Sequence, residues 1–226
     1  MITPRASRAS RAPRASLLAA SAAAALGLAA GPAAAHPHVW VTTKSEIAWA
    51  EGRVAAVRHV WTFDEGYTSF LVQGLDENGD GVYSSDELAE LAELNATSLL
   101  DFDYFTFLKA DGAEQAFAAP VDYRLTHDGL RATLHFTLPL SEPVAAETAL
   151  VMEVYDPTFF VSFRMEDGDD AVALAGGPEN CAVDIARASE VRLDQFQNLS
   201  EAFFDAMTAP DELGVEIVNR ALVACP

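Results

Sequence analysis

Hydrophobic and polar residues alternate over the first part of the chain that follows residue 35. The alternation covers residues 36–49, stops at Glu51-Gly52, and resumes over residues 54–63. Such a period of two is typical of strands with one buried face, and a short Gly-containing break is typical of a hairpin turn. The two runs therefore predict a β-hairpin.

Helical periodicity follows this hairpin and recurs near the C-terminus. Residues 64–75 carry apolar side chains at helical spacing after a possible N-cap, Asp64, and residues 84–100 do so after the capping-box pair Ser84 and Glu87. A third helical region is predicted over residues 193–207. The pattern thus predicts a helix-loop-helix over residues 64–100 and a separate C-terminal helix.

Short strand-like runs fill the rest of the chain, and those at 148–155 and 159–165 look like a pair. The runs cover residues 102–108, 121–126, 131–138, 148–155, 159–165, 171–175, 182–186 and 215–223. We expect one α+β domain, mainly an antiparallel β sheet or sandwich, with an inserted EF-hand-like helix-loop-helix at 64–100 and a C-terminal helix.

Residues 1–35 have the three regions of a secretory signal peptide. Separated arginines precede an alanine-rich apolar stretch, and Ala33-Ala34-Ala35 forms a small-residue cleavage site. We therefore expect cleavage before His36, a single periplasmic domain over 36–226, and no membrane span after cleavage, since no second apolar run is long enough.

Charge narrows the possible partners. The chain has 14 Lys and Arg against 34 Asp and Glu; four of the basic residues and none of the acidic ones lie in residues 1–35, so residues 36–226 carry 10 against 34, a formal charge of −24. A surface this acidic argues against nucleic-acid binding and against binding to anionic membranes.

Two cysteines, Cys181 and Cys225, remain in the exported chain without CxxC spacing. An oxidising compartment favours one disulfide between them. The alternative, a pair of soft metal ligands, is less favoured because they lie far apart in sequence and have no histidine nearby.

The run from Asp76 to Glu87 has the length and spacing of a calcium loop. A twelve-residue EF-hand loop presents oxygens from positions 1, 3, 5, 7, 9 and 12 and requires glycine at position 6, which here is Gly81. The six ligand positions hold Asp76, Asn78, Asp80, Val82 through its carbonyl, Ser84 and Glu87. Tyr83 is a departure, because position 8 is usually aliphatic. The alternative is an acidic surface turn that binds nothing.

The amino-terminal histidines are candidate ligands for a transition metal. In a strand, His36 and His38 point to the same side, and with the free amine they could bind Ni²⁺, Co²⁺, Cu²⁺ or Zn²⁺. Pro37 excludes the amino-terminal site that needs a deprotonated second backbone nitrogen. His59, on the hairpin partner strand, is a weaker third candidate. The alternative is that these histidines simply belong to the strands.

Several segments together resemble the bacterial periplasmic family catalogued as domain of unknown function 1007, an uncharacterised transport-system component. They are His36-Pro37-His38-Val39-Trp40, Trp61-Thr62-Phe63-Asp64, the loop 76–87, Asp103-Tyr104-Phe105, Tyr155-Asp156-Pro157-Thr158-Phe159-Phe160 and Cys225-Pro226. The resemblance implies an association with membrane exporters or permeases of nickel and cobalt.

We therefore expect an exported calcium-binding accessory protein that assists divalent-metal transport and is not an enzyme. One alternative is a transition-metal carrier that uses His36 and His38 beside a purely structural calcium loop. A more remote alternative is a hydrolase, although the sequence has no GxSxG elbow, phosphate-binding glycine loop or redox CxxC.

Overall fold

The computed structural model describes residues 38–145, 149–158, 160–187 and 218–225. In this part of the chain, eleven strands and two short α-helices occur. The strands are β1 (Val39–Ala50), β2 (Arg53–Phe63), β3 (Thr106–Ala110), β4 (Ala113–Gln115), β5 (Val121–His127), β6 (Ala132–Val144), β7 (Ala149–Val154), β8 (Val161–Met165), β9 (Val172–Ala175), β10 (Ala182–Ala186) and β11 (Asn219–Ala224). The helices are α1 (Glu65–Leu71) and α2 (Ala89–Ser98).

The described strands form two sheets. The first has the order β5-β6-β2-β1-β8, with β9 also paired to β1, and the second has the order β10-β11-β7-β3-β4. Most neighbours are antiparallel, but β8 and β9 both run parallel to β1. β1 therefore lies inside the first sheet and joins its neighbour in sequence, β2, to strands that are more than 100 residues further along the chain.

A two-residue turn closes the β1–β2 hairpin. Ala50 pairs with Arg53, and the turn residues Glu51 and Gly52 have φ of +53° and +76°. Two positive φ angles match the right-handed twist of the flanking strands, which is why such turns favour glycine. The predicted first hairpin is confirmed.

Buried residues from both sheets form one hydrophobic core. Alternate side chains of β1, β2 and β6 pack with those of β3, β7 and β11. Trp61 lies in the centre of this core, 4.8 Å from Phe136 and 4.9 Å from Phe163 between ring centroids, both in edge-to-face arrangements. Aromatic pairs in this geometry add to the free energy gained by burial.

The prediction of an α+β fold with a distinct EF-hand-like insertion is wrong. The described chain is mostly β-sheet, and its helices are one of seven residues and one of ten. α1 ends early, because the chain turns at Gly74, whose φ is +83°. Isolated helices this short are marginal in water, so these two depend on packing against the sheet. The C-terminal helix predicted for 193–207 lies outside the described residues.

Two strand predictions are also wrong. Residues 148–155 and 159–165 do not pair, since β7 and β8 belong to different sheets. The strand predicted from residue 102 begins only at Thr106, after a 3₁₀ segment, Leu99–Phe105. Within this segment Asp103, Tyr104 and Phe105 have positive φ, a backbone conformation that apolar patterning cannot signal.

The predicted disulfide is confirmed. Cys181 and Cys225 are bonded, and their Cα atoms lie 4.2 Å apart. The bond closes the end of the antiparallel pair β10–β11, beside the pair Ala182 and Ala224. It therefore ties the edge strand of the second sheet to the last strand of the chain.

Candidate metal-binding loop

The loop 76–87 connects the two helices on the surface of the first sheet. α1 begins at an N-cap, Asp64, whose Oδ1 accepts from the Tyr67 amide at 2.9 Å and whose Oδ2 accepts from the Trp40 amide at 3.0 Å. The first of these contacts confirms the predicted cap, and the second fixes the helix to β1. Thr68 in α1 also accepts a hydrogen bond from the Ala132 amide at 3.0 Å. The loop thus starts from a helix that is fixed to the sheet at several points.

The first half of the loop is folded around its own carboxylates. Asp76 accepts hydrogen bonds from the amides of Gly79, Asp80 and Gly81 at 2.8, 3.1 and 2.9 Å. Asn78 Oδ1 accepts from the same Asp80 amide at 2.8 Å. Gly81 has φ of +80°, which a residue with a Cβ adopts only at a cost. The predicted ligand residues at positions 1 and 3 therefore share one backbone nitrogen.

Glu87 connects the two ends of the loop. Its Oε1 accepts from the Glu77 amide at 3.1 Å, and its Oε2 accepts from the Ser84 amide and hydroxyl, both at 2.8 Å. The Glu87 amide in turn donates to Ser84 Oγ at 3.3 Å, so the two residues make the reciprocal hydrogen bonds of the predicted capping box. α2 begins only at Ala89, with Leu88 as its N-cap and no side-chain cap, so the prediction that this pair opens the helix is wrong. The hydrogen bonds that the Glu87 carboxylate accepts, with those from Ser84 the largest, lower the pKa of Glu87 below its usual value, so the side chain is a carboxylate at neutral pH.

The carboxylates are not gathered into a metal cage. Among the described residues, no three His, Cys, Asp or Glu side chains lie close enough together to hold a metal ion. Asp80 Oδ1 accepts from the Val82 amide, and Asp76 and Glu87 bind different amides of the loop. The structure thus brings the predicted residues into one loop, in which the carboxylates bind backbone amides.

Tyr83, the unusual residue at loop position 8, contacts the β5–β6 turn. Its ring lies 4.7 Å from that of His127, in an edge-to-face arrangement, and the His127 Nδ1 accepts from the Gly129 amide at 3.1 Å. An aromatic ring reaches this turn where a shorter aliphatic side chain would not. The departure from the usual pattern therefore fixes the loop to the first sheet.

The structure separates the candidate histidines. His36 lies outside the described residues, whereas His38 is exposed and its ring lies 4.9 Å from that of Phe160. His59 faces Ser45 across the β1–β2 ladder, well inside the sheet, and is 1% exposed. It does not lie opposite His38, so the expected approach between these two does not occur. Binding of a transition metal by His36 and His38 stays a prediction.

These features define a class of protein: a strongly acidic two-sheet β protein with one disulfide and an oxygen-rich loop beside its larger sheet. The chain belongs to the family described as "Protein of unknown function (DUF1007)", which it matches over residues 21–225. The resemblance seen in the sequence is confirmed at the level of the family.

A curated relative is also uncharacterised. The chain is 29% identical over 119 residues to the "Uncharacterized 15.5 kDa protein in trpE 3'region" of Spirochaeta aurantia, an alignment that covers 48% of this chain and 85% of that protein. No solved structure matches the chain. Within the residues that the structure describes, no helix combines the length and apolar character needed to cross a bilayer.

Proposed function

We propose that this protein is an exported, calcium-binding accessory protein that assists divalent-metal transport in the periplasm. The observation that carries the proposal is the loop 76–87. Five of its six EF-hand ligand positions hold an oxygen-bearing side chain, and the sixth, Val82, offers its backbone carbonyl. The side chains of Asp76, Asn78, Asp80 and Glu87 all accept hydrogen bonds from the loop's own backbone. Hard cations such as Ca²⁺ prefer carboxylate, amide and carbonyl oxygens of this kind.

The donor set fits calcium better than a transition metal. The six candidate ligands supply only oxygen atoms, whereas Ni²⁺, Cu²⁺ and Zn²⁺ favour imidazole or thiolate. Asp76, Asp80 and Glu87 would provide three negative charges, and the backbone carbonyl of Val82 and the side-chain oxygens of Asn78 and Ser84 would complete the shell. We therefore assign these six residues to the site.

The affinity should be low. The carboxylates of Asp76, Asp80 and Glu87 are not close enough together for all three to hold one metal ion, so they must rearrange before they can share it. Part of the binding free energy is spent on that rearrangement. We expect a Kd of about 10⁻⁴ to 10⁻³ M, the range of extracellular calcium modules.

Substitution of Glu87 tests the site. Glu87→Gln removes the negative charge of the ligand that can bind calcium through both of its side-chain oxygens. We expect calcium affinity to fall at least about tenfold, which is the smallest loss typical when a residue that supports a metal ligand is replaced. Asp86→Asn is the matched control, because Asp86 is adjacent and exposed but holds no ligand position. Isothermal titration with Ca²⁺ measures both variants after chelation.

A second readout is the melting temperature. Because a ligand that binds only the folded state raises stability, saturating Ca²⁺ should raise the Tm of the parent and of Asp86→Asn, with a much smaller rise in Glu87→Gln. Equal calcium affinity in Glu87→Gln and the parent would show that the loop is only an acidic surface turn.

The transport part of the proposal rests on the family resemblance and needs a test in cells. Cells that lack the protein should take up or export ⁶³Ni²⁺ or ⁵⁷Co²⁺ at an altered rate, and the parent chain should restore the rate. Unchanged fluxes of both ions would remove metal transport from the proposal and leave calcium binding untouched.

A further inference from the structure

A cavity with a mostly apolar wall opens at the end of the first sheet where β1 begins and β2 ends. Its volume is about 740 Å³, within the range of pockets that enclose ligands. Trp61 and Phe63 of β2 are among its aromatic lining residues. The rest of the wall comes from β1, β6, both helices, the 3₁₀ segment Leu99–Phe105 and the residues Asp156, Thr158, Phe160 and Val161. The cavity therefore lies where the two helices meet the sheet.

Apolar side chains at the mouth of this cavity are exposed to solvent. Leu94 on α2 and Phe102 in the 3₁₀ segment both line the cavity, yet they are 61% and 53% exposed. Scattered apolar residues are normal on a protein surface, but exposed apolar residues that continue into an apolar cavity are typical of a site for a partner. The mouth of the cavity is therefore an apolar surface that is accessible to a partner.

Carboxylates lie around this mouth. Residues 59–108, which include both helices and the 3₁₀ segment, contain eleven Asp and Glu and no Lys or Arg. One helical turn separates Glu90 from Leu94, and an aspartate lies on each side of Phe102. These carboxylates are exposed and form no ion pair with the described part of the chain: Glu90, Asp101 and Asp103. None of the described lining residues is Lys, Arg or His, so the mouth is negative as well as apolar.

Basic side chains on the outer face of the first sheet are, by contrast, paired with carboxylates. The pairs are Lys44 with Asp170, Arg58 with Glu46, and Arg164 with Asp167. These pairs balance the charge on that face, whereas the described residues offer no cation to the carboxylates at the mouth of the cavity. A partner that brings cations is therefore attracted to the mouth.

The charge of the chain disfavours three other occupants. A second copy would repel the first, because residues 36–226 carry 10 basic against 34 acidic residues, a formal charge of −24. Residues 188–217, which lie outside the described part of the chain, contain seven Asp and Glu against one Arg, so they match an acidic mouth no better. An anionic lipid surface is repelled in the same way. The occupant that matches both properties of the mouth is apolar and basic.

We propose that this cavity docks a cationic amphipathic segment of a partner protein. The apolar side chains of the segment lie in the cavity, and its Lys and Arg side chains lie against the carboxylates of Glu90, Asp101 and Asp103. Apolar burial supplies the affinity, and the charges select and orient the segment. This docking goes beyond the proposed calcium binding and does not depend on it, because no lining residue belongs to the loop 76–87.

Three synthetic peptides test the proposal on the full processed chain, kept in chelator so that calcium has no part in the result. A fluorescein-labelled amphipathic peptide of Leu and Lys, LKKLLKLLKKLLKL, should bind saturably in fluorescence anisotropy. Replacing every Lys by Glu reverses its charge, and replacing every Leu by Ser removes its apolar face. Each of these peptides should bind at least about tenfold more weakly, because one has lost charge complementarity and the other apolar contact. Equal binding of either one and the parent peptide would overturn the proposal.

Variants of the apolar mouth locate the site. Leu94→Gln should weaken binding of the Leu and Lys peptide about tenfold, since a leucine that the peptide buries is lost. Leu222→Gln is the matched control, because Leu222 is an exposed leucine on β11 of the second sheet, and it should bind the peptide like the parent. Equal affinities of these two variants would place the peptide elsewhere and overturn the proposal.

Variants of the carboxylates separate the mouth of the cavity from the general acidity of the chain. Glu90→Gln combined with Asp101→Asn should weaken binding of the same peptide at least about twofold, since exposed ion pairs contribute modestly. Glu114→Gln combined with Asp184→Asn removes the same charge from exposed positions on the second sheet and should have less effect. An equal loss in both double variants would overturn docking at the mouth.

Sedimentation velocity tests the alternative that a second copy covers the cavity. We expect no dimer of the parent chain that Leu94→Gln abolishes. A concentration-dependent dimer that this variant does abolish would assign the cavity to self-association and overturn the proposal.

Discussion

His59 connects the two sheets through both of its ring nitrogens. Its Nδ1 lies 2.9 Å from Ser45 Oγ on β1, and its Nε2 lies 3.1 Å from Thr106 Oγ1 on β3. The Thr106 hydroxyl donates its only proton to the Tyr104 carbonyl at 2.8 Å, so it must accept from His59. The ring is therefore the neutral tautomer with the proton on Nε2, and its Nδ1 accepts from Ser45.

Stability should depend on pH through His59. Burial lowers the pKa of this histidine from 6.5 to about 3, so the unfolded chain binds a proton between these pH values and the folded chain does not. The contribution of neutral His59 to the free energy of unfolding is complete above pH 6.5. It is lost as the pH falls towards 3, by about 1.4 kcal/mol per pH unit. Between pH 6.5 and 5, the unfolding free energy of His59→Gln should therefore fall less steeply than that of the parent, by about this amount per pH unit.

Urea unfolding at a series of pH values measures this effect. His127→Gln is the matched control, because His127 is partly exposed at a turn, and it should keep the slope of the parent. An unchanged slope in His59→Gln would contradict a neutral buried His59.

At the scale of elements, the 3₁₀ segment Leu99–Phe105 shows how an irregular stretch positions core residues. Asp103, Tyr104 and Phe105 have φ of +49°, +54° and +47°, and the last two are buried. A left-handed conformation costs residues with a Cβ of order 1–3 kcal/mol each. The turn directs Phe105 into the core, 5.4 Å from the ring of Phe163, and burial of that ring offsets the strain.

Glycine at Asp103 should relieve part of this strain. Asp103 is exposed and its side chain makes no hydrogen bond or ion pair with the described part of the chain, so Asp103→Gly should stabilise the protein by up to about 1 kcal/mol. Asp101→Gly, nearby in the same segment but without positive φ, should destabilise it by about 0.5–1 kcal/mol. Chemical denaturation compares the two, and a loss of stability in both variants would show that the Asp103 conformation is not strained.

The elements differ in how well the sequence predicts them. The β1–β2 hairpin and the Asp64 cap depend on residues close in sequence, and local patterns specify them. The pairing of β8 with β1 joins distant segments, and no local signal encodes a parallel partner. Local patterns do not predict the left-handed turn at Asp103, because the tyrosine and phenylalanine that follow it carry no turn signal.

The candidate sites follow the same rule. All six residues of the proposed calcium site lie within one short run, so their spacing alone predicts them. The cavity around Trp61 is assembled from segments between Val39 and Val161. Alternation predicts that Trp61 lies in a strand, but only the tertiary structure shows that its indole N–H has no acceptor among the described residues.

At the scale of the whole molecule, Asn219 joins the second sheet to the first. It lies on β11 and is 1% exposed, its Nδ2 donates to the Phe163 carbonyl at 2.8 Å, and its Oδ1 accepts from the Met165 amide at 3.2 Å. Both partners belong to β8. A side-chain amide, with a donor and an acceptor at one end, thus binds the backbone of a strand in the other sheet.

Replacing Asn219 should destabilise the whole fold. Asn219→Leu keeps a similar volume but leaves a buried carbonyl and a buried amide unpaired, at a cost of about 2–4 kcal/mol. Leu222→Ala, at an exposed position of the same strand, should cost less than about 1 kcal/mol. Equilibrium unfolding in urea measures both, and similar small losses in both variants would contradict a bridging role for Asn219.

β1 also constrains the order in which the protein can fold. It can pair with β2 as soon as the hairpin turn has formed, but its other edge must wait for β8 and β9, where Val39 pairs with Val161 and Ser45 with Val172. Contacts between such distant segments form slowly, because a long loop must close first. Until then an unpaired strand edge is exposed, and such an edge favours aggregation. The nascent chain therefore needs protection at β1 until its last third has arrived.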